Sequence, residues 1–418
     1  MIIRARIVVT MDGPPIENGA IAISKNQIID VGKFPEISAR HSGLEVVDLG
    51  ERALLPGLIN AHCHLDYTCL RGKIRPQKSF TDWIRAINTE KSKLSRQDYL
   101  VSIAEGFAEA KRFGTTTVAN LTAFPELISE IQTPIRTWWF AELIDVRSPE
   151  RANEIVDRAI ESLEPAENRG LAPHAPFTAS SNLYRLCEEV ARRQSILLTT
   201  HLAESREELE MFRNQSGPLY EFMKSIGRPM DDCGQETPLA FFANIAGAPP
   251  STSLRAGSGR ALPNEWIVAH LNELAESDFK LLKESTNKFH LVHCPRSHDY
   301  FGHSRFRFEK LRGLGFNICL GTDSLASNED LSLFAEMRAF QRSESGISPD
   351  KILELVTVNA ARSLHQENAL GRIRPGFRAD LIAIPYGGHA DLFEQIVAFA
   401  GSIDWMTVNG RMKMTKLQ

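Results

Sequence analysis

The chain has 418 residues, 43% of them hydrophobic and 24% charged, and its 48 basic and 52 acidic side chains leave a formal charge of −4. That composition is globular and excludes disordered, collagenous and coiled-coil classes. Lys and Arg form no stripe and no apolar run reaches the length of a membrane span, so neither a nucleic-acid partner nor a membrane is expected.

The first 50 residues alternate short β-rich runs (2–10, 19–24, 27–32 and 44–49) with turn signals such as Asp12-Gly13-Pro14-Pro15, and sustain no helical period. The apolar start breaks at Asp12-Gly13 and lacks the core and cleavage site of a signal peptide. Eight β-like runs follow, at 53–60, 115–120, 135–143, 170–172, 195–200, 266–269, 290–292 and 317–320. Amphipathic helical segments lie among them at 98–112, 150–163, 182–193, 278–284 and 331–341. Strands alternating with helices predict a parallel sheet with helical crossovers, and eight such units fit a (β/α)8 barrel. The largest insertion is 205–263, within which 247–263, rich in Gly, Pro and Ser, reads as a loop. The chain ends in further β-like runs at 379–385, 403–409 and 411–415, with Asn409-Gly410 as a hairpin turn. Neither end has enough strands for its own core. Pairing 1–52 with 366–418 in one small β-sandwich, around a barrel of 53–365, satisfies both. The six cysteines (63, 69, 187, 233, 294 and 319) form no CxxC, which is the free-thiol usage of a cytoplasmic protein.

In such a barrel the reactive groups stand at the carboxyl ends of the strands. The first run leads into His62-Cys63-His64. Side chains two apart share a face, so both imidazoles converge while Cys63 turns away. The fourth is followed by Pro173-His174, the fifth by His201-Leu202-Ala203-Glu204, the sixth by His270 and the eighth by Gly321-Thr322-Asp323. Five of the twelve histidines and one Asp thus fall where a barrel gathers side chains at one mouth, as a Zn²⁺ or Fe²⁺ site requires.

The segments LLPGLINAHCHLDYTCLRG, GTTTVAN, APHAPFTAS, THLAES, VHCPRS, LGTDSLASNEDLSLFAEMR, ALGRIRPGFRADLIAI and VNGR resemble, in order, the amidohydrolase superfamily and within it the aminohydrolase branch of cytosine, guanine and S-adenosylhomocysteine deaminases. The resemblance implies the same barrel and β-sandwich. It implies one divalent ion, Zn²⁺ with Fe²⁺ as the other candidate, on His62, His64, His201 and Asp323. Glu204 then resembles the proton-shuttling carboxylate, and His270 the histidine that, with Asp323, holds the attacking water and stabilises the tetrahedral adduct. His174 resembles a substrate-contacting histidine. Trp83 stands where the family places an aromatic wall, although plain core packing explains it equally well. The implied activity is hydrolytic deamination of an aminopurine or aminopyrimidine base, or a nucleoside-like compound, with release of ammonia. The alternatives are a chlorohydrolase or cyclic-amide hydrolase on the same metal site, or an inactive scaffold, against which the intact residue set speaks. Many relatives are dimers, which leaves a homodimer open.

The sequence departs from the family at Ser297-His298, where Ser-Asn is common, and in 205–263, which matches no motif. Both 205–263 and 296–306 are expected to flank the substrate. The cationic residues of the latter, Arg296, His298, His303 and Arg305, lean towards a solvated loop. Glu142, the residue of the third strand that would bridge a second ion, is not expected to point into the mouth, and a single metal follows.

Overall fold

The computed structural model describes residues 1–246, 266–285, 287–388 and 391–414, which build two sheets. The chain opens with β1 (Ile2–Val8), β2 (Ile16–Ser24), β3 (Gln27–Lys33), β4 (Val46–Asp48) and β5 (Arg52–Pro56). A helix that the sequence reading lacked, Phe34–Arg40, packs on β2 through Ile37 and starts with Pro35 in its first turn.

The second sheet is parallel. Its strands are β6 (Leu58–His64), β7 (Thr115–Thr122), β8 (Arg136–Leu143), β9 (Asn168–Pro173), β10 (Leu197–Leu202), β11 (Trp266–His270), β12 (His290–His293), β13 (Asn317–Leu320) and the two-residue β14 (Asp323–Ser324). Each of β6 to β12 pairs with the next in the chain, and β14, which follows β13 directly, pairs with β6, Asp323 opposite Cys63 and Ser324 opposite His64. The sheet therefore curls round from its eighth strand to its first, the expected α/β barrel. Every residue of β6 and β7 is buried, as strands covered on both faces must be. Among the covering helices is Arg96–Arg112, started by a Ser95–Asp98 capping box and turning Tyr99, Ile103, Phe107 and Ala110 inward at helical spacing.

The predicted single strand 53–60 is in fact two, in different sheets. Gly57 marks the break: a Cβ there would stand 2.1 Å from the Thr116 Oγ1, so only glycine lets β5 pass so close to β7. The chain ends in β15 (Leu381–Pro385), β16 (Trp405–Val408) and β17 (Arg411–Met414). β15 pairs with β5, and both chain ends join in one eight-stranded sheet of order β17-β16-β15-β5-β1-β2-β3, with β4 on β1. Arg136, the first residue of β8, donates to Asp380 at 3.1 Å, which ties this sheet to the amino end of the barrel and leaves the carboxyl end free.

Within the insertion, helices Arg206–Asn214, Pro218–Ser225 and Pro238–Ile245 bury Met211, Phe212, Leu219 and Phe241 against Phe80 and Phe177. The segment 247–263, read as a loop, lies outside the described residues. Residues 295–301, expected as part of a solvated loop, form a helix with Pro295 and Ser297 buried. Among the described residues no helix is long and apolar enough to cross a membrane.

Candidate metal and catalytic site

The inner face of the barrel carries Ile59 and Ala61 on β6 and Trp138 and Phe140 on β8, while Leu58, Cys63 and Trp139 pack outward. Simple alternation from Ile59 and Ala61 would send His62 and His64 outward. A β-bulge between Asn60 and Cys63 resets the phase and re-aims both imidazoles into the barrel. The rings of His62 and His64 stand 5.0 Å apart, that of His201 at the end of β10 lies 4.9 Å from His62, and that of His270 lies 5.3 Å from His201. His64 Nε2 and His201 Nε2 face each other at 3.3 Å, and Asp323 Oδ1 is 3.9 Å from His62 Nε2 and 3.8 Å from His64 Nε2.

These groups are buried, yet both ring nitrogens of His62 and the Nε2 of His270 meet no hydrogen-bond partner. Bare nitrogens inside a protein are costly unless something satisfies them. The sets His62–His201–His270, His62–His64–Asp323 and Glu204–His270–Asp323 each bring their ligating atoms within 4.8 Å of one another. Burial holds the imidazoles in the neutral form that ligates metal: it pushes His62 down to about 3, His201 to about 4, and His64 and His270 well below the usual range. The donor set fits a divalent cation. Second-layer contacts orient it, since His201 Nδ1 lies 2.9 Å from the His174 carbonyl while Asp323 accepts from Ser297 Oγ and the Ser324 amide, both at 2.7 Å.

The backbone is unusual at these strand ends. Ala203 (φ 47°), His270 (φ 77°), Leu271 (φ 52°) and Asp323 (φ 57°) are all left-handed, a conformation that non-glycine residues keep only when their surroundings enforce it. Here Leu271 N–H donates to the Leu202 carbonyl, and Asn272 and Glu273 N–H both donate to that of Ala203, each at 2.9 Å. Gly321 is required by the close passage of the eighth strand over the first, because a Cβ there would meet the His62 carbonyl at 2.7 Å.

Glu204 is buried, with Oε1 3.7 Å from His270 Nε2. Its amide donates to Glu208 at 2.8 Å, and its carbonyl accepts from Asn272 Nδ2 at 3.1 Å. Burial above all, then the charges of Asp323 and Glu208, raise its carboxyl well above the usual range. A nearby dication would oppose that shift. Sequence reasoning missed Glu208 and Asn272, and singled out Ser297 only as part of a departure from the family, with no role. Of the two missed, Glu208 left a signal, the capping-box spacing from Ser205, whose Oγ accepts from the Glu208 amide at 3.1 Å.

A cavity of about 480 Å³ opens above the site, with His64, His201, Glu204, His270 and Asp323 in its floor. His174 and Trp83 both line it. His174 Nδ1 is held 2.6 Å from Thr178 Oγ1. Trp83 also packs, stacking on Phe80 at 5.9 Å with Phe301 edge-on at 4.9 Å. Phe222, Met223 and Ile226 of the insertion complete the wall. Residues 296–306 do not line the cavity but back it, through Phe301. Arg296 is taken up by Asp330 and Glu329, while His298 orients Asn272 at 3.1 Å rather than contacting substrate space. Glu142, contrary to expectation, does point into the mouth, with Oε1 3.9 Å from His64 Nδ1, and forms a further potential donor set with His64 and His201.

The amidohydrolase family model matches residues 53–413. A 5-methylthioadenosine/S-adenosylhomocysteine deaminase of Syntrophobacter fumaroxidans is 27% identical over 392 residues, 90% of this chain and 82% of that protein. Among solved structures, the Helicobacter pylori aminofutalosine deaminase in complex with methylthio-coformycin matches with a TM-score of 0.85 at 21% identity, covering 99% of this chain and 100% of that one. A Xanthomonas campestris adenosine deaminase with bound zinc matches with a TM-score of 0.76 at 20% identity, covering 100% of this chain and 94% of that one.

Proposed function

The chain belongs to the amidohydrolase family, and from that premise we propose a divalent-metal hydrolytic deaminase whose substrate is an adenosine-type nucleoside with a 5′ extension ending in an anion. The observation that carries the deaminase reading is the buried His/Asp cluster with Glu204 beside it, in the floor of a cavity of nucleoside size. The deaminase names of its relatives support it further. The anionic extension rests on Lys91 and Arg147, which line the cavity and meet no carboxylate among the described residues, whereas Arg151 beside them is paired with Glu154.

His62, His64, His201 and Asp323 would hold a divalent ion, and Zn²⁺ suits imidazole and carboxylate and is present in fold neighbours of this chain. When bound, such an ion lowers the pKa of coordinated water to about 7. Glu204 takes one proton of the attacking water on its carboxylate and returns it to the ring nitrogen beside the amino-bearing carbon; the hydroxyl proton of the resulting adduct then passes to the departing amine as the ring carbonyl forms. Without ring protonation, attack on the aromatic carbon would break conjugation with no compensation. His270 Nε2 holds the attacking oxygen and, with Asp323, stabilises the tetrahedral adduct. His174 contacts the heterocycle and Trp83 walls it. Ammonia leaves and a ring carbonyl remains.

On this reading 53–365 carries the chemistry. The two chain ends, 1–52 and 366–418, would supply the family's supporting β-sandwich, and β5 (Arg52–Pro56) shares the sheet in which their strands join. All six cysteines are free, which supports a cytoplasmic setting. The test is ammonia release by metal-replete protein from adenine, 5′-deoxyadenosine and S-adenosylhomocysteine. Turnover of the nucleosides, with kcat/KM about tenfold or more higher for the carboxylate-bearing one, is expected from a charge-assisted contact. No ammonia from any of them would overturn the deaminase reading, and equal kcat/KM for both nucleosides would overturn the anionic extension.

A further inference from the structure

The helix Phe80–Lys91 brings Phe80, Trp83, Ile84, Ile87 and Lys91 to the cavity, so its placement sets the shape of that wall. A helix begins with four backbone N–H groups that its own turns cannot satisfy. Here the Trp83 amide makes the first regular helical bond, to the carbonyl of the N-cap Ser79 at 3.2 Å, and of the amides before it that of Asp82 donates to the Ser79 side chain at 3.1 Å. Those of Phe80 and Thr81 donate to the carboxylate of Glu207 at 2.9 and 3.1 Å, and the buried Thr81 hydroxyl donates to the same carboxylate. Glu207 therefore caps this helix from a point 127 residues further along the chain, with its negative charge at the positive end of the helix.

Glu207 lies on the helix Arg206–Asn214, whose N-cap Ser205 directly follows Glu204. The segment that carries the proton shuttle thus also grips the substrate wall. A second contact joins the same two parts: the Arg85 guanidinium lies over the Phe222 ring, 5.0 Å from its centre. Glu207 does not itself line the cavity. We propose that Glu207 is a positioning residue, which fixes the wall formed by Phe80–Lys91 and thereby sets affinity for the nucleoside without entering the chemistry. The inference rests on the deaminase reading above.

The experiment compares wild type with Glu207→Gln, Glu207→Ala, Thr81→Val and, as a control on the same insertion helix, the exposed Arg206→Ala. Hydrogen exchange on the substrate-free protein is expected to quicken in residues 80–84 of both Glu207 variants and not in 152–162. With the better of 5′-deoxyadenosine and S-adenosylhomocysteine, KM should rise about tenfold in Glu207→Ala, less in Glu207→Gln and Thr81→Val, with kcat within about twofold and metal content unchanged. The control should match wild type. Should Glu207→Ala not fold, the near-isosteric Glu207→Gln and Thr81→Val carry the test. A matching fall in kcat, or faster exchange with KM unchanged, would overturn the proposal. If wild type deaminates no nucleoside, the deaminase reading fails by itself, and exchange unchanged in 80–84 then separately overturns the positioning role.

Discussion

Replacing Glu204 by Gln isolates the proton-transfer role, because nothing that holds this residue in place depends on its side chain. Its amide donates to Glu208 and its carbonyl accepts from Asn272, and the variant keeps both. The side chain is buried beside His270, so an amide of the same shape fits the space with its oxygen about where Oε1 stood. What the amide cannot do is take a proton and give it back. General acid–base transfer is worth about 10²–10⁴ in rate, or roughly 3–5 kcal/mol of barrier. Burial disfavours the charged carboxylate at this point, so the neutral amide should leave thermal stability equal or higher. The assay is ammonia release at saturating nucleoside, with elemental analysis of the same sample. We expect wild-type metal content with kcat lowered about a hundredfold or more. A metal-replete variant within about tenfold of wild-type kcat would refute the assignment.

His62→Ala and Asp323→Ala should each lose metal together with activity, since each removes a direct donor, whereas His270→Ala should keep much of the metal and lose turnover. Equal depletion in all three would make His270 a ligand as well. Phe222→Ser, on the insertion wall, should change the preference among 5′ substituents and leave metal content intact; an unaltered preference would remove the insertion from substrate selection. At the amino end of β12, burial pushes His290 down to about 4 from its usual value near 6.5. The unfolded chain then takes the proton first, so this contribution is present above about pH 6.5 and fades towards pH 4, costing about 2 kcal/mol at pH 5. Urea unfolding at about pH 5 and 7 should show that loss in wild type and a smaller one in His290→Gln, and equal losses would refute it.

The barrel was legible because its strands are short apolar runs separated by amphipathic helices, a local pattern. The residues of the site were legible for a related reason: a parallel barrel presents the carboxyl ends of its strands to one mouth, so His62, His64, His174, His201, His270 and Asp323 could be gathered without a structure. Other features depended on partners distant in sequence. The run 53–60 is evenly apolar, and only hydrogen bonding to β1 and β15 on one side of Gly57 and to β7 on the other divides it. Glu142 turns inward because Trp138 and Phe140, at the same phase of β8, fill the barrel, and phase is fixed by register with the neighbouring strands.

His62, His64 and His270 show the limit most clearly. The sequence determined that His62 and His64 share a face and that His270 ends a strand. Alternation alone would put His62 and His64 out of phase with Ile59 and Ala61, and His270 in phase with the outward Trp266 and Val268. The bulge after Asn60 and the left-handed turn at His270 bring all three inward. Both irregularities are held by hydrogen bonds from neighbouring strands, such as Thr322 N–H to the His62 carbonyl and Leu271 N–H to that of Leu202. A local pattern carries no trace of such bonds, so the tertiary structure alone decided where these imidazoles point.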